Sequence, residues 1–118
     1  NILKLDSAFE STIQKLNQPR IGFDLNRTIK EMQAFEGSLI IQTLFVRGKY
    51  HEQYVDNTTQ QEVNAWLEAL KYIAPSQVML YTIARDTPVE GLERIPYREL
   101  QSIARRVESL KIPVQISH

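Results

Sequence analysis

Six polar residues stand where apolar runs end or are interrupted, and they are the first candidates for chemistry. Asp6 and Ser7 close the run Ile2-Leu3-Lys4-Leu5. Gln42 and Thr43 break the run from Leu39 to Val46, and Tyr81 and Thr82 break the run from Val78 to Ile83. A polar group buried in an apolar strand without a hydrogen bond costs ~1–3 kcal/mol. Each of these positions therefore requires a partner, either inside the protein or on a ligand. Threonine is an ordinary strand residue, which accounts for Thr43 and Thr82 without a ligand. Aspartate is poorly suited to strands, and Gln42 stands among Leu, Ile and Phe. For Asp6 and Gln42 both an internal partner and a ligand stay open.

A second group lies in connections. The segment from Val46 to Asn57 exceeds the ~2–6 residues usual between a strand and a helix in α/β units. It carries Arg47, Lys49, Tyr50, His51 and Tyr54, which suit an anionic or aromatic substrate. The same segment also reads as a solvated hairpin with Gly48 at its turn. Arg85 follows the third apolar run, where a cation can clamp a carboxylate or phosphate, or else be neutralised by Asp86. Several chemistries are excluded. The chain has no Cys, so it makes no thiolate-bound zinc or iron–sulfur site of its own. His118 is terminal and suits the first residue of an affinity tag, which leaves His51 as the sole imidazole and rules out a multi-His metal site. The four Gly do not cluster, so Walker and dinucleotide fingerprints are absent.

The elements that position these residues follow from periodicity. Two nearly continuous apolar runs, Leu39 to Val46 and Val78 to Ile83, suit strands buried on both faces of a parallel sheet. Ile2-Leu3-Lys4-Leu5 and Pro113-Val114-Gln115-Ile116 read as shorter strands. Val63, Trp66, Leu67, Leu70 and Ile73 form one helical stripe, and Leu100, Ile103, Ala104, Val107 and Leu110 form another. Thr59 and Glu62 have the spacing of a capping box, and Pro96 suits the first turn of the last helix. Asp24 caps a helix carrying Leu25, Ile29, Met32 and Phe35, which Gly37 ends, and a shorter helical turn spans Ser11 to Leu16 before Pro19. Strand starts recur about every 36 to 39 residues with a helical interval between them, giving a β-α-β-α-β-α-β array of parallel strands. The expected fold is α/β: about four parallel strands with three helical connections. An open sheet takes helices on both faces and a barrel arc on one. A chain that begins almost on a strand favours the arc, as the C-terminal portion of a larger barrel.

Composition sets the outer bounds. The 118 residues carry 14 Lys+Arg and 14 Asp+Glu, so the basic surplus of a dedicated nucleic-acid binder is missing. The mixed charges around the last helix read as a salt-bridged outer face. No apolar run approaches the ~18 residues of a membrane helix, and no signal peptide is visible. The expectation is a soluble, cytoplasmic protein.

The strings Leu3-Lys4-Leu5-Asp6-Ser7, Leu16-Asn17-Gln18-Pro19, Ile41 to Gly48 and Tyr81 to Pro88 resemble the second half of radical S-adenosylmethionine proteins. The group they resemble is the iron–sulfur oxidoreductases related to pyruvate-formate-lyase-activating and tRNA wybutosine-synthesis enzymes. The resemblance implies a partial (β/α)6 barrel, of which residues 1–118 supply strands four to six and one beyond. It implies S-adenosylmethionine and a [4Fe–4S] cluster in the full-length parent, the cluster held by a C-x-x-x-C-x-x-C loop that is not in this chain, so the fragment alone binds no cluster and does not catalyse. It assigns Asp6 and Ser7 to the ribose or methionine part of the cofactor. Gln42 and Leu44 fall to the strand-five wall, and Tyr81, Thr82 and Ile83 to the floor under the adenine. Arg47, Lys49, His51 and Arg85 remain the substrate-loop candidates. Expected partners are the missing N-terminal half of the barrel and a glycyl-radical enzyme or small-molecule substrate, with tRNA still open, and the fragment is expected to self-associate through its exposed first strand. A rival reading is a self-contained α/β binding or interaction module. A weaker one is a metal-free barrel enzyme acting on phosphorylated substrates.

Overall fold

The computed structural model describes residues 1–17, 19, 21–86 and 88–118; Gln18 and Thr87 of the strings quoted above lie outside the described residues, as does Arg20. Four parallel strands form the central sheet: β1 (Ile2–Lys4), β2 (Ile40–Leu44), β5 (Gln77–Tyr81) and β7 (Val114–Ser117), in the order β1-β2-β5-β7. A second, antiparallel sheet in the order β4-β3-β6 is made by β3 (Val46–Tyr50), β4 (Gln53–Asp56) and β6 (Leu92–Arg94). Helices α1 (Glu10–Asn17) and α2 (Leu25–Gln33) connect β1 to β2, α3 (Gln60–Ile73) leads to β5, and α4 (Tyr97–Glu108) leads to β7.

Strand register separates the two faces of the parallel sheet. Leu3, Ile41, Val78 and Val114 lie in one row, and Lys4, Gln42, Met79 and Gln115 lie in the next. Successive residues of a strand point to opposite faces. Ile41, Val78 and Leu80 are fully buried and share one cluster with Ile13 of α1, Met32 of α2, Trp66 and Leu70 of α3, and Leu100 and Val107 of α4. All four helices therefore cover the same face. Each of those side chains contributes ~1.5–3 kcal/mol by leaving water. The other face, carrying Ile40, Gln42, Leu44, Met79 and Tyr81, is only partly buried. One-sided coverage is the arrangement of a barrel arc, and it decides between the two architectures that periodicity left open.

Helix starts follow their sequence signals. Asp24 accepts the Arg27 N–H at 3.2 Å and Thr59 accepts the Glu62 N–H at 3.2 Å. The capping box at Thr59 is otherwise one-directional, because the Glu62 carboxylate accepts hydroxyl bonds from Ser7 and Thr12. Pro96 occupies the N-cap of α4 and offers no side-chain cap.

Three expectations need correction. The run from Leu39 to Val46 is not one strand. It leaves the parallel sheet at Phe45, whose N–H and C=O bond Tyr81 and Thr82, and continues as β3 in the other sheet. The run from Val78 to Ile83 likewise ends as a strand at Tyr81. The long connection after β2 is indeed a hairpin, but its turn falls at His51 and Glu52, both at positive φ, and Gly48 sits within a strand. Gly48 has φ +135°, and a Cβ there would lie 2.2 Å from the Gly91 carbonyl oxygen, so glycine lets β3 approach the segment leading into β6.

Candidate binding face at the strand ends

Beyond the last ladder contact between β1 and β2, Leu5 N–H to the Gln42 carbonyl, the strands are joined by side chains acting as peptide groups. The Asp6 carboxylate accepts the Leu44 N–H at 2.9 Å through Oδ1, while Oδ2 accepts from Asn17 Nδ2 at 3.1 Å and lies 3.5 Å from Lys4 Nζ. Asn57, 1% exposed, donates to the Asp6 carbonyl at 2.8 Å and the Leu44 carbonyl at 2.7 Å, and accepts the Val46 N–H at 2.9 Å. Buried amide and carboxylate groups are tolerated here because each has its partners.

The other strand-end residues are engaged in the same way. Ser7 Oγ donates to Glu62 at 2.7 Å and accepts the Phe9 N–H. Thr43 Oγ1 donates to the Leu5 carbonyl at 2.7 Å and accepts the Trp66 indole N–H at 3.1 Å. Thr82 Oγ1 donates to the Phe45 carbonyl at 2.7 Å and accepts the Ile95 N–H at 3.0 Å, which ties β5 to the entry of α4. The Asp6 side chain has no exposed surface. A ligand contact from Asp6, Ser7 or Thr82 would require one of these bonds to open.

What the partly buried face offers is the alternate row. Gln42 and Met79 lie side by side, and Leu44 and Tyr81 are paired one step closer to the strand ends. Ile83 is half-buried just past β5. Lys4, half-exposed, stands above Asp6 on the same side. Burial works against the Lys4 charge, but Asp6 and Tyr81 outweigh it and raise its pKa, so the side chain is a standing ammonium. A side-chain amide, a phenol, an ammonium and the apolar surfaces of Leu44 and Met79 make a wall for a flat ligand with polar edges. Lys4 escaped the sequence reading because a lysine in a short first strand reads as solvent-facing. Asn57 escaped it because loop asparagines are common.

The substrate-loop candidates are scattered. Arg47 is drawn inward: its guanidinium bonds both Glu99 oxygens at 2.8 and 2.6 Å and Thr58 Oγ1 at 2.9 Å. That paired hydrogen bond, stronger than the opposing burial, pushes the Arg47 pKa up and holds Glu99 below the usual carboxylate value. Arg47 thus fastens the antiparallel sheet to α4. Lys49 is exposed and 3.9 Å from Glu52. His51 is exposed at the hairpin turn, its ring 4.2 Å from that of Tyr50. Arg85 is exposed beyond β5 and belongs to neither group.

Along the outer edge of β1, a recess of about 300 Å³ is lined mainly by Leu5, Ile13, Phe23, Leu25 and Asn17. Among the described residues no group of three or more His, Asp or Glu can hold a metal ion, and no helix is long and apolar enough to cross a membrane.

A parallel arc with helices on one face is a fold shared with solved structures of other proteins. The chain superimposes on a domain of a pyruvate-formate lyase-activating enzyme from Bacteroides vulgatus with a TM-score of 0.72 at 10% identity, covering 99% of this chain and 66% of that one. It matches a radical SAM methyltransferase from Sphaerobacter thermophilus with a TM-score of 0.70 at 12% identity, covering 98% of this chain and 33% of that one. In sequence it is 26% identical to a UPF0026 protein of Synechocystis sp. over 138 aligned positions, covering 96% of this chain and 49% of the relative. The chain thus spans about half the length of the curated relative it matches. No family model matches it.

Proposed function

We propose that this chain is the C-terminal part of a radical S-adenosylmethionine iron–sulfur enzyme, in which the partly buried sheet face is the adenosyl-side wall of the barrel and the antiparallel sheet is the substrate-side wall. The observation that carries the reading is the one-sided sheet, with Lys4, Gln42, Leu44, Met79 and Tyr81 on the side the helices leave open, in a fold matched over 98% of the chain by a radical SAM methyltransferase. The open β1 edge and the recess beside it fit a preceding barrel half.

These residues fit the adenosyl part of the cofactor and not the cluster. Gln42 and Tyr81 supply hydrogen-bonding groups, and Leu44, Met79 and Ile83 supply apolar surface beside them. The chain contains no Cys, so the [4Fe–4S] ligands belong to the preceding half of the parent. Bound in the parent, the cluster would supply the one-electron reduction for cleavage of S-adenosylmethionine between its sulfonium sulfur and the 5′-carbon. This chain's part is to hold the nucleoside and to keep water from it with the sheet wall. Asp6, Ser7 and Thr82 act behind that wall, holding the strand ends that carry it. The hairpin bearing Lys49 and His51 is the part that meets the substrate, with a glycyl-radical protein, a small molecule and a tRNA as the candidates.

Two results test the reading together. The reading frame preceding Asn1 should encode a C-x-x-x-C-x-x-C motif, and the full-length protein reconstituted with iron and sulfide should release 5′-deoxyadenosine from S-adenosylmethionine under reduction. A reading frame without the three cysteines, or a cluster-loaded protein that leaves S-adenosylmethionine intact, would overturn it.

A further inference from the structure

We infer that Asn57 is a positioning residue: it sets the separation of the β1 and β2 ends, and with it the place of Leu44 on the binding wall, although it touches no ligand itself. The inference rests on the adenosyl reading of that wall. It is carried by four hydrogen bonds in one small volume. Between Leu5 and Val46 the backbone ladder is replaced by the Asp6 carboxylate, which takes the Leu44 N–H, and by the Asn57 carboxamide, which takes the Val46 N–H and donates to the carbonyls of Asp6 and Leu44.

Only a carboxamide satisfies this arrangement. Both carbonyls require a donor and the Val46 amide requires an acceptor, all within reach of one side chain that is 1% exposed. An aspartate of the same shape has acceptors only, so it would face two carbonyl oxygens with no hydrogen to share. Leu44 is thus fixed at both peptide groups, its N–H by Asp6 and its C=O by Asn57. Asn57 also follows β4, whose partner β3 carries Arg47 bound to Glu99, so the same side chain registers the substrate-side sheet against the wall. A buried residue 51 positions away from Asp6 thereby decides where Leu44 stands.

The test uses the full-length protein with S-adenosylhomocysteine as the probe, and compares Asn57→Asp with Ile73→Val. Ile73 is buried in the helix-covered core as the last residue of α3, a helix that starts just after Asn57, so its truncation lowers stability at the end of the helix remote from the strand-end hydrogen bonds. Ile73→Val should keep the dissociation constant of the unmutated protein. Asn57→Asp should raise it about tenfold, the factor that a lost hydrogen bond represents. It should also speed amide hydrogen exchange at Leu44 and Val46 by a similar factor, and both effects should shrink at low pH, where the introduced carboxyl is protonated and regains one donor. Where Asn57→Asp does not fold, Asn57→Ser, smaller and still able to donate, is measured the same way. Unchanged affinity and unchanged exchange at Leu44 and Val46 in a folded Asn57 variant would overturn the inference, and so would an equal loss of affinity in Ile73→Val. Failure of the unmutated protein to bind the probe overturns the adenosyl reading instead, and the exchange rates still decide whether Asn57 holds the strand ends.

Discussion

Thr43→Val offers the sharpest check on how the parallel arc is held to its helices. Valine matches threonine in shape, so the change opens no cavity, and its whole cost comes from polar groups left behind. The Thr43 hydroxyl is fully buried, donates to the Leu5 carbonyl at 2.7 Å and accepts the Trp66 indole N–H at 3.1 Å. Removing it strands a buried donor, at ~1–3 kcal/mol, and deprives a carbonyl of a partner at a somewhat lower cost. The expected loss is therefore about 2–4 kcal/mol, large beside the ~5–15 kcal/mol of a typical domain. Trp66→Phe in the same background removes the stranded N–H while keeping an aromatic ring against Phe45, whose ring centre lies 5.2 Å from that of Trp66. The double variant should then be more stable than the sum of the single losses by ~1–2 kcal/mol, since contacting residues couple on this scale. Urea unfolding of the four proteins, with a common slope to show that the exposed surface is unchanged, measures the cycle. A Thr43→Val loss below ~0.5 kcal/mol, or strict additivity with Trp66→Phe, would refute the view that this hydroxyl stitches β1, β2 and α3 together.

Two further outcomes follow from the antiparallel sheet. Gly48→Ala should cost upwards of ~3 kcal/mol, because a side chain at φ +135° is strained and its Cβ would press 2.2 Å from the Gly91 carbonyl; circular dichroism melts would register it, with the loss concentrated in the hairpin by hydrogen exchange. Glu99, held below the usual 4.5 by its hydrogen bonds from Arg47, contributes stability that is complete above that value and fades as pH falls through its lower folded pKa, while Arg47 stays charged throughout. With 42% of the Glu99 side chain exposed, the contribution is about 1 kcal/mol or less, and a stability–pH curve should lose that component below pH 4.5 in the unmutated protein and show no such component in Glu99→Gln.

The parallel strands and their helices were legible because they are written in apolar periodicity, whereas the helices' placement on one face, which makes the sheet an arc, was not. The stripe through Val63, Trp66 and Leu70 and the runs around Ile41 and Val78 have one physical use, burial against each other. The antiparallel sheet was not legible for the complementary reason. Val46 continues an apolar run without a break, so nothing in residue type announces that the backbone changes sheets at Phe45. The switch is enforced by partners far along the chain, Tyr81, Thr82 and Asn57. β6 is three residues long and depends on two glycine contacts, Gly48 and Gly91, that only the fold brings together.

The candidate site shows the same division. Sequence logic singled out Asp6, Gln42, Tyr81 and Thr82 because polar groups in apolar strands need partners, and that reasoning cannot say whether the partner is a ligand or the protein. In a parallel arc the answer follows from which face a residue occupies. Thr43 falls on the helix-covered side, where only protein lies within reach, and its hydroxyl is consumed there. Gln42 and Tyr81 fall in the alternate rows and keep their polar ends on the partly buried side. Asp6 lies past the end of the ladder and stands in for the missing peptide carbonyl, so its charge reaches that side only through Lys4. A one-residue shift of the β2 register would exchange these roles, placing Thr43 on the wall and Gln42 against Trp66. The Asp6 and Asn57 bonds to Leu44 oppose that shift at the strand end, which is why the partly buried face and the residues that never reach it belong to one arrangement.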